Sequence, residues 1–234
     1  MTPRRDDLEI VEIASPDDAA LLAAFHGGAY WQAFAAQHEP LAVWQRALWS
    51  DDARYELTIR IAGTALRDPA RREIVGGIVF ERYPRSGCGL VTYLVVSPPA
   101  RRQGLGKRLQ REAALQLYAA GAPLVLGELN DPRRDSHTGE SLEDKWRRIE
   151  RNQAWGARVL EVRYVQPALA PGLARDAGLC LIALAGAQPL PATVPGAIVR
   201  DFVTELYAIT EGGAPPSRLV PTIPDDVPLI ALAR

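Results

Sequence analysis

The densest run of chemistry-bearing residues lies between Val96 and Arg111. Arg101, Arg102, Lys107, Arg108 and Arg111 place five positive charges in eleven residues, with no acidic residue among them. Gly104 and Gly106 lie inside this run, at the expected start of a helix. Glycine lets the backbone come close to a ligand. The unpaired N–H groups of a first helical turn point outward, and the helix dipole adds partial positive charge there. Such a segment suits a diphosphate. A GxxxxGK[ST] phosphate loop needs a hydroxyl residue after Lys107, where Arg108 stands, and its first glycine is missing. A GxGxxG dinucleotide fingerprint needs a small residue where Leu109 stands. The pattern that fits is RxxGxG, from Arg101 to Gly106, behind a strand that ends in Val96-Ser97-Pro98.

Two further side chains could move protons. Glu128 lies in the apolar run Leu124–Leu129 beside Gly127. A carboxylate there could take a proton from an ammonium group, directly or through a water; the bland reading is a strand-end carboxylate facing solvent. Tyr164 follows a strand near the same sheet end and is a candidate acid, against the plainer reading of a buried tyrosine with a satisfied hydroxyl. His26, His38 and His137 share no ligand spacing, so no metal site is expected. No GxSxG elbow is present. Trp31, Trp44 and Trp49 cluster around the first helices, as core packing or as an apolar substrate wall, and Trp146 and Trp155 bracket a later helix as packing residues.

These residues need elements to position them. Leu8–Ile13 reads as a first strand. Ser15, Pro16, Asp17 and Asp18 are the cap and first turn of a helix. A short helix fits Pro40–Trp49. Tyr55–Ala62 and Ile74–Arg82 read as neighbouring strands, and the Pro84–Gly89 turn makes them part of an antiparallel meander with Leu90–Val96. A helix then runs to about Ala120 on a stripe of Leu105, Leu109, Ala113 and Leu117, with Gly121 as its C-cap. The strand–turn–helix–strand order makes Leu124–Leu129 parallel to Leu90–Val96. A polar loop spans Asn130–Gly139, and Ser141 caps a helix over Leu142–Gln153. Strands at Arg158–Tyr164 and Leu179–Ala185 close the core. Beyond Gly186 come a proline-rich linker, a helix with Ile198, Phe202, Leu206 and Ile209 on one face, and a last strand within Val227–Leu232.

Composition narrows the function classes. The chain has 234 residues, 47% hydrophobic and 24% charged, with 27 basic residues against 28 acidic ones. That balance argues against a nucleic-acid partner and against a membrane surface. Pro189, Pro191 and Pro195 interrupt the longest uncharged run, Ala177–Val199, so it is no membrane span. Two distant cysteines, Cys88 and Cys180, form neither a disulfide scaffold nor a zinc pair and fit a reducing cytoplasm. Met1–Asp7 has no apolar segment of a secretory signal.

The segment Leu94–Leu109 resembles the acyl-CoA-binding motif of the GNAT superfamily of N-acetyltransferases, V-x-P-x-x-R-x-x-G-x-G. All five specified residues are present: Val96, Pro98, Arg101, Gly104 and Gly106. Tyr164-Val165-Gln166-Pro167 and the 194–213 tail look like a bacterial branch of that superfamily. The resemblance implies an α/β (α+β) fold. Its sheet is twisted and mixed, mostly antiparallel with one splayed parallel pair, and helices cover both faces. It implies an acyltransferase domain over 1–185, with 186–234 as an extension packed on the core or at a homodimer interface. It also implies roles for the motif. The backbone of Leu94 and Val96 would pair with the pantetheine arm. The N–H groups of Arg102, Gln103, Gly104, Leu105, Gly106 and Lys107 would hold the pyrophosphate, with Arg101 and Lys107 adding charge.

The implied activity is transfer of an acyl group, expected to be acetyl from acetyl-CoA, to an amine of a small molecule or a peptide. One departure stands out. Many members carry N-x-x-A-x-x-x-Y-x-x-x-G on the helix after the parallel pair; anchored on Gly156, those positions hold Lys145, Arg148 and Asn152. The missing tyrosine and asparagine leave an alternative open, a module that binds or senses acyl-CoA and transfers nothing.

Overall fold

The computed structural model describes residues 8–34, 39–51, 53–135, 139–169 and 174–234. The chain divides into two compact units, Met1–Glu81 with Val91–Ala113, and Arg82–Leu90 with Ala114–Arg234. His38, His137 and the Met1–Asp7 segment lie outside the described residues.

The first unit is built on strands β1 (Glu9–Glu12), β2 (Glu56–Thr64), β3 (Glu73–Arg82) and most of β4 (Gly89–Val96), adjacent in that order. β1 pairs antiparallel with β2, with Glu9 opposite Gly63. Ser15 caps the chain as expected: its Oγ accepts from Asp17 N–H at 3.3 Å, and Asp18 Oδ2 accepts from Ala14 N–H at 2.8 Å. Helix α1 (Ala19–Phe25) then widens into a π turn over His26–Tyr30 before α2 (Trp31–Phe34), and α3 covers Leu41–Trp49. The π turn was not legible in the sequence. Gly27 and Gly28 lie at its centre, and Trp31 N–H reaches back to His26 C=O. Phe25, Tyr30, Trp44, Ile59, Ile61 and Val79 are fully buried and form the core of this unit. Gly77 is required by that packing: a Cβ there would lie 2.7 Å from the Phe25 ring and 2.8 Å from Arg60 C=O. After β4, α4 (Leu105–Ala119) buries its expected stripe of Leu105, Leu109, Ala113 and Leu117.

The second unit begins with the turn into β4. Tyr83 N–H bonds Cys88 C=O at 2.9 Å and Gly87 N–H bonds Tyr83 C=O at 2.8 Å, with Gly87 in the left-handed region at φ +70°. Gly89, which starts β4, donates to Leu124 C=O at 3.0 Å, just before β5 (Val125–Asn130) begins. Strand start meets strand start, so β4 and β5 run parallel. The end of α4 makes this register reachable. Gly121 turns left-handed at φ +88°, and Ala122 N–H closes on Leu117 C=O at 3.0 Å, a Schellman ending. β5 pairs antiparallel with β7 (Leu179–Ala183), β7 with β6 (Arg158–Leu160), and β6 with β9 (Asp226–Ile230). β8 (Thr193–Pro195) adds to β9. α5 (Leu142–Ala154) is capped by Ser141, whose Oγ accepts from Asp144 N–H at 3.1 Å. The fold class is therefore the expected mixed α/β, mostly antiparallel with one parallel pair.

Three expectations are corrected. The strand expected over Arg158–Tyr164 stops at Leu160. Val162 N–H turns back onto Leu160 C=O at 2.9 Å, so Tyr164 lies in a loop. The proline-rich linker contains β8, because prolines are tolerated in an edge strand that donates few ladder bonds. The tail helix, α6 (Gly196–Thr210), buries Val199, Phe202, Val203, Leu206 and Tyr207; Ile198 and Ile209 are only half-buried. The buried face is rotated because Tyr207 turns inward and donates to Val165 C=O.

α6 also carries Glu205, 3% exposed, whose two carboxylate oxygens accept from Arg85 N–H at 2.9 Å and Ser86 N–H at 2.7 Å. The tail thereby caps the turn that launches β4. Phe202 packs edge-on against Tyr83, 5.5 Å between ring centroids, beside this contact. No helix of the described residues is long and apolar enough to cross a membrane. Glu205→Ala leaves two turn amides without their acceptor and is expected to lower stability by about 2–4 kcal/mol. Urea unfolding read by circular dichroism checks this, with Glu205→Gln, which keeps one acceptor, falling between.

Candidate active site

In the first unit, β4 alternates buried Val91, Tyr93 and Val95 with half-buried Thr92, Leu94 and Val96. After Val96 the chain makes a short 3-10 turn over Pro98–Ala100 and then the basic loop. Two of its residues are left-handed, Arg102 at φ +65° and Gly104 at φ +83°. For Gly104 this conformation is free of steric cost. For Arg102 it costs about 1–3 kcal/mol, a strain that surrounding structure must hold in place. Left-handed residues in a turn bring successive N–H groups onto one concave side, an anion-binding arrangement. The first helical bond of α4 is Arg108 N–H to Gly104 C=O at 3.0 Å, so the N–H groups of Leu105, Gly106 and Lys107 precede the ladder.

The charges of the loop divide by task. Arg101 Nε donates to Val96 C=O at 3.0 Å and Gln103 Nε2 to Pro99 C=O at 3.2 Å, so both shape the turn. Arg108 pairs with Glu112 at 2.8 Å. Arg102 and Lys107 are exposed, and among the described residues neither has a carboxylate partner. The loop thus combines free cations, left-handed turns and a helix start. These observations fit the pyrophosphate of an acyl-CoA.

In the second unit, β5 carries Glu128 opposite Leu181 of β7. Glu128 and Tyr164, which the sequence left apart, are in direct contact: the Tyr164 hydroxyl donates to Glu128 Oε1. Gln166 Nε2 donates to the other oxygen, Oε2, at 2.9 Å. Burial raises the Glu128 pKa; the two donors work against that rise and the nearby Asp176 charge adds to it. Burial, and then the adjacent Glu128 charge, push the Tyr164 hydroxyl well above its ordinary range, so it stays a proton donor. A carboxyl whose pKa is raised and that accepts from a protonated phenol is suited to accepting a proton and passing one on.

Gln166 was not among the expected site residues. Its backbone bridges Asp176, N–H to C=O at 2.7 Å and 3.1 Å in the two directions. No local pattern in the sequence signals a pairing across that gap. Asp131, the residue after β5, is fully buried. Burial alone would raise its carboxyl, but the bonds from Arg133 and the charges of Arg133 and Arg134 hold it below its usual range. It is an ion-paired structural group.

The positions that depart from the family motif are occupied structurally. Lys145 Nζ donates to Arg134 C=O at 2.8 Å, Arg148 pairs with Glu140 at 2.7 Å, and Asn152 Nδ2 donates to Arg148 C=O at 2.9 Å. The three early tryptophans part company: Trp44 is fully buried while Trp31 is 44% exposed. Cys88 and Cys180 are both free and buried, and burial pushes each thiol up to about 12. Among the described residues, no group of three His, Cys, Asp or Glu side chains could hold a metal ion.

Comparison with known proteins bears on the whole arrangement. Residues 28–136 match the model of the acetyltransferase (GNAT) family. That span contains the basic loop and Glu128 and ends before Tyr164. Comparison with functionally curated proteins gives no match. Among solved structures, a GNAT-family protein from Bacteroides thetaiotaomicron aligns over 88% of this chain and 99% of its own, at 17% identity and a TM-score of 0.58. A tandem GNAT protein from the clavulanic acid biosynthesis pathway aligns over 68% of this chain and 46% of its own, at 17% identity and a TM-score of 0.52. At such identities the structures speak for the fold, and the family model speaks for the sequence. The two agree with the motif at Val96–Gly106: residues 28–136, a little under half of the chain, are similar to the acetyltransferase (GNAT) family, and the fold is that of its solved members.

Proposed function

We propose that the protein is an acyl-CoA-dependent N-acyltransferase, with acetyl-CoA as cosubstrate and an amine of a small molecule or peptide as acceptor. The observation that carries this reading is the Glu128–Tyr164 hydrogen bond, a proton acceptor joined to a proton donor.

Acyl-CoA supplies the thioester carbonyl. The N–H groups from Arg102 to Lys107 hold its pyrophosphate, with Lys107 and Arg101 adding positive charge. The Leu94 and Val96 backbone pairs with the pantetheine arm as an added strand. Glu128 accepts a proton from the ammonium form of the acceptor. The neutral amine forms the new C–N bond as the C–S bond breaks, and the amine's second proton goes to solvent. Tyr164 gives its hydroxyl proton to the departing sulfur and is reprotonated from Glu128 through their hydrogen bond. Proton count and charge balance: one ammonium and one thioester become one amide, one thiol and one released proton. Proximity does much of the work, so no covalent enzyme intermediate is required. Two buried free thiols fit a cytoplasmic protein.

The loop and the base are tested separately. CoA at about 100 times its dissociation constant should stabilise the chain by about 2.7 kcal/mol, visible as a raised melting temperature. Gly104→Asp should abolish the shift, because it strains a left-handed position and sets a negative charge against the phosphates. No shift with the wild-type chain would remove the acyl-CoA reading.

Glu128→Gln should keep the CoA shift and lower kcat by roughly 10²–10⁴-fold. Because burial raises the Glu128 pKa, wild-type activity should climb with pH through a value above the ordinary carboxylate range. The Glu128→Gln deficit should shrink at high pH, where the amine is already neutral. CoA binding without turnover on any amine would instead make the protein an acyl-CoA sensor, the reading favoured by Lys145 and Asn152 standing where the family carries its asparagine and tyrosine.

A further inference from the structure

The segment that presents Tyr164 and Gln166 has no secondary structure of its own beyond one bridge, Gln166 to Asp176. A loop cannot hold two donors on one carboxylate unless something outside it fixes the backbone. On one side Arg134 does so, its Nη1 within 3.3–3.4 Å of the carbonyls of Tyr164, Ala177 and Leu179. On the other side the partner is α6, from the C-terminal extension. Tyr207 donates its hydroxyl to Val165 C=O at 2.9 Å, between the two residues that hold Glu128. One turn later, Glu211 Oε1 accepts from Ala168 N–H at 2.8 Å and from Arg175 Nε at 2.9 Å. The Arg175 guanidinium lies 5.1 Å from the centre of the Tyr207 ring, which ties both ends of the segment to the same helix.

We propose that Tyr207 and Glu211 are positioning residues for Glu128: the tail helix sets the backbone of 164–168 and thereby the two hydrogen bonds that orient the base. The inference rests on the acyltransfer reading for its kinetic consequence but not for its structural one. The tail is then part of the catalytic apparatus, although neither residue touches a reacting atom.

The sign of the effect follows from the groups around Glu128. Tyr164 and Gln166 stabilise its ionised form; burial and Asp176 oppose it, and Tyr207 stands nearby as a neutral phenol that burial pushes up to about 12. Loosening the 164–168 backbone weakens the first pair and leaves the others, so Glu128 should hold its proton to higher pH.

Tyr207→Phe removes the bond to Val165 and keeps the ring over Arg175. Its kcat should fall by about 10- to 100-fold, the scale of a misplaced group. The KM for CoA should be unchanged, and the acidic limb of the kcat/KM profile should move to higher pH. In parallel, the Glu128 carboxyl is titrated by NMR in chain labelled with ¹³C at glutamate side-chain carboxyls, assigned with Glu128→Gln. The Glu128 titration should move up in Tyr207→Phe. If no amine is ever acetylated, the acyltransfer reading fails while the NMR titration still decides the positioning role. A lower rate at every pH with an unmoved Glu128 titration is a merely structural loss and overturns the proposal, as does an unchanged variant. If Tyr207→Phe fails to fold, Glu211→Gln carries the same measurements with the same expected directions.

Discussion

A carboxylate drawn wholly or partly out of water must be met by donors, and three such groups organise the second unit: Asp131 and Glu205 are buried and Glu128 is half-buried. Glu128 is met by a phenol and an amide side chain, Glu205 by two turn amides, and Asp131 by two guanidinium groups. An unmet buried acceptor costs about 1–3 kcal/mol, and a charge costs more. Each of the three therefore dictates where distant pieces of chain must lie. Glu205 fixes the turn before β4, Asp131 fixes Arg133 and Arg134, and Arg134 in turn fixes the segment that serves Glu128. What differs is the electrostatic outcome. Full cations beside Asp131 keep it ionised, whereas neutral donors beside Glu128 offset its burial only in part. The same residue chemistry yields an ionised anchor in one place and a carboxyl with a raised pKa in the other.

The basic loop follows a different logic, in which side chains shape the backbone turn and others keep their charge exposed. Arg101 and Gln103 spend their side-chain hydrogen bonds on the turn itself, against Val96 and Pro99. The left-handed Arg102 is a strained position that the surrounding turn must hold in place.

The parts of this structure that were legible in the sequence are those written in contiguous residues. The Ser15 and Ser141 caps, the Gly121 ending of α4, the stripe from Leu105 to Leu117 and the parallel β4–β5 register all follow from local patterns whose physics acts within a few residues. The loop Val96–Gly106 belongs to the same class. What escaped is what depends on partners far apart in the chain. Nothing near Gln166 signals that its backbone bridges Asp176 while its side chain reaches Glu128. Tyr164 was singled out, but on a strand that ends four residues earlier, because the backward turn at Val162 has no glycine or proline to announce it. The face of α6 was misread for a related reason. Ile198 and Ile209 fit an apolar stripe, and only the acceptor at Val165 explains why Tyr207 takes the inner position.

The two buried cysteines have a practical corollary. A thiol whose ionisation is pushed to about 12 has almost no thiolate at neutral pH, and maleimides and iodoacetamides react with the thiolate. The native chain is therefore a silent background for thiol labelling. A single cysteine placed on the exposed surface would take up a fluorophore alone, and modification of Cys88 or Cys180 would clock the opening of the strands that contain or adjoin them.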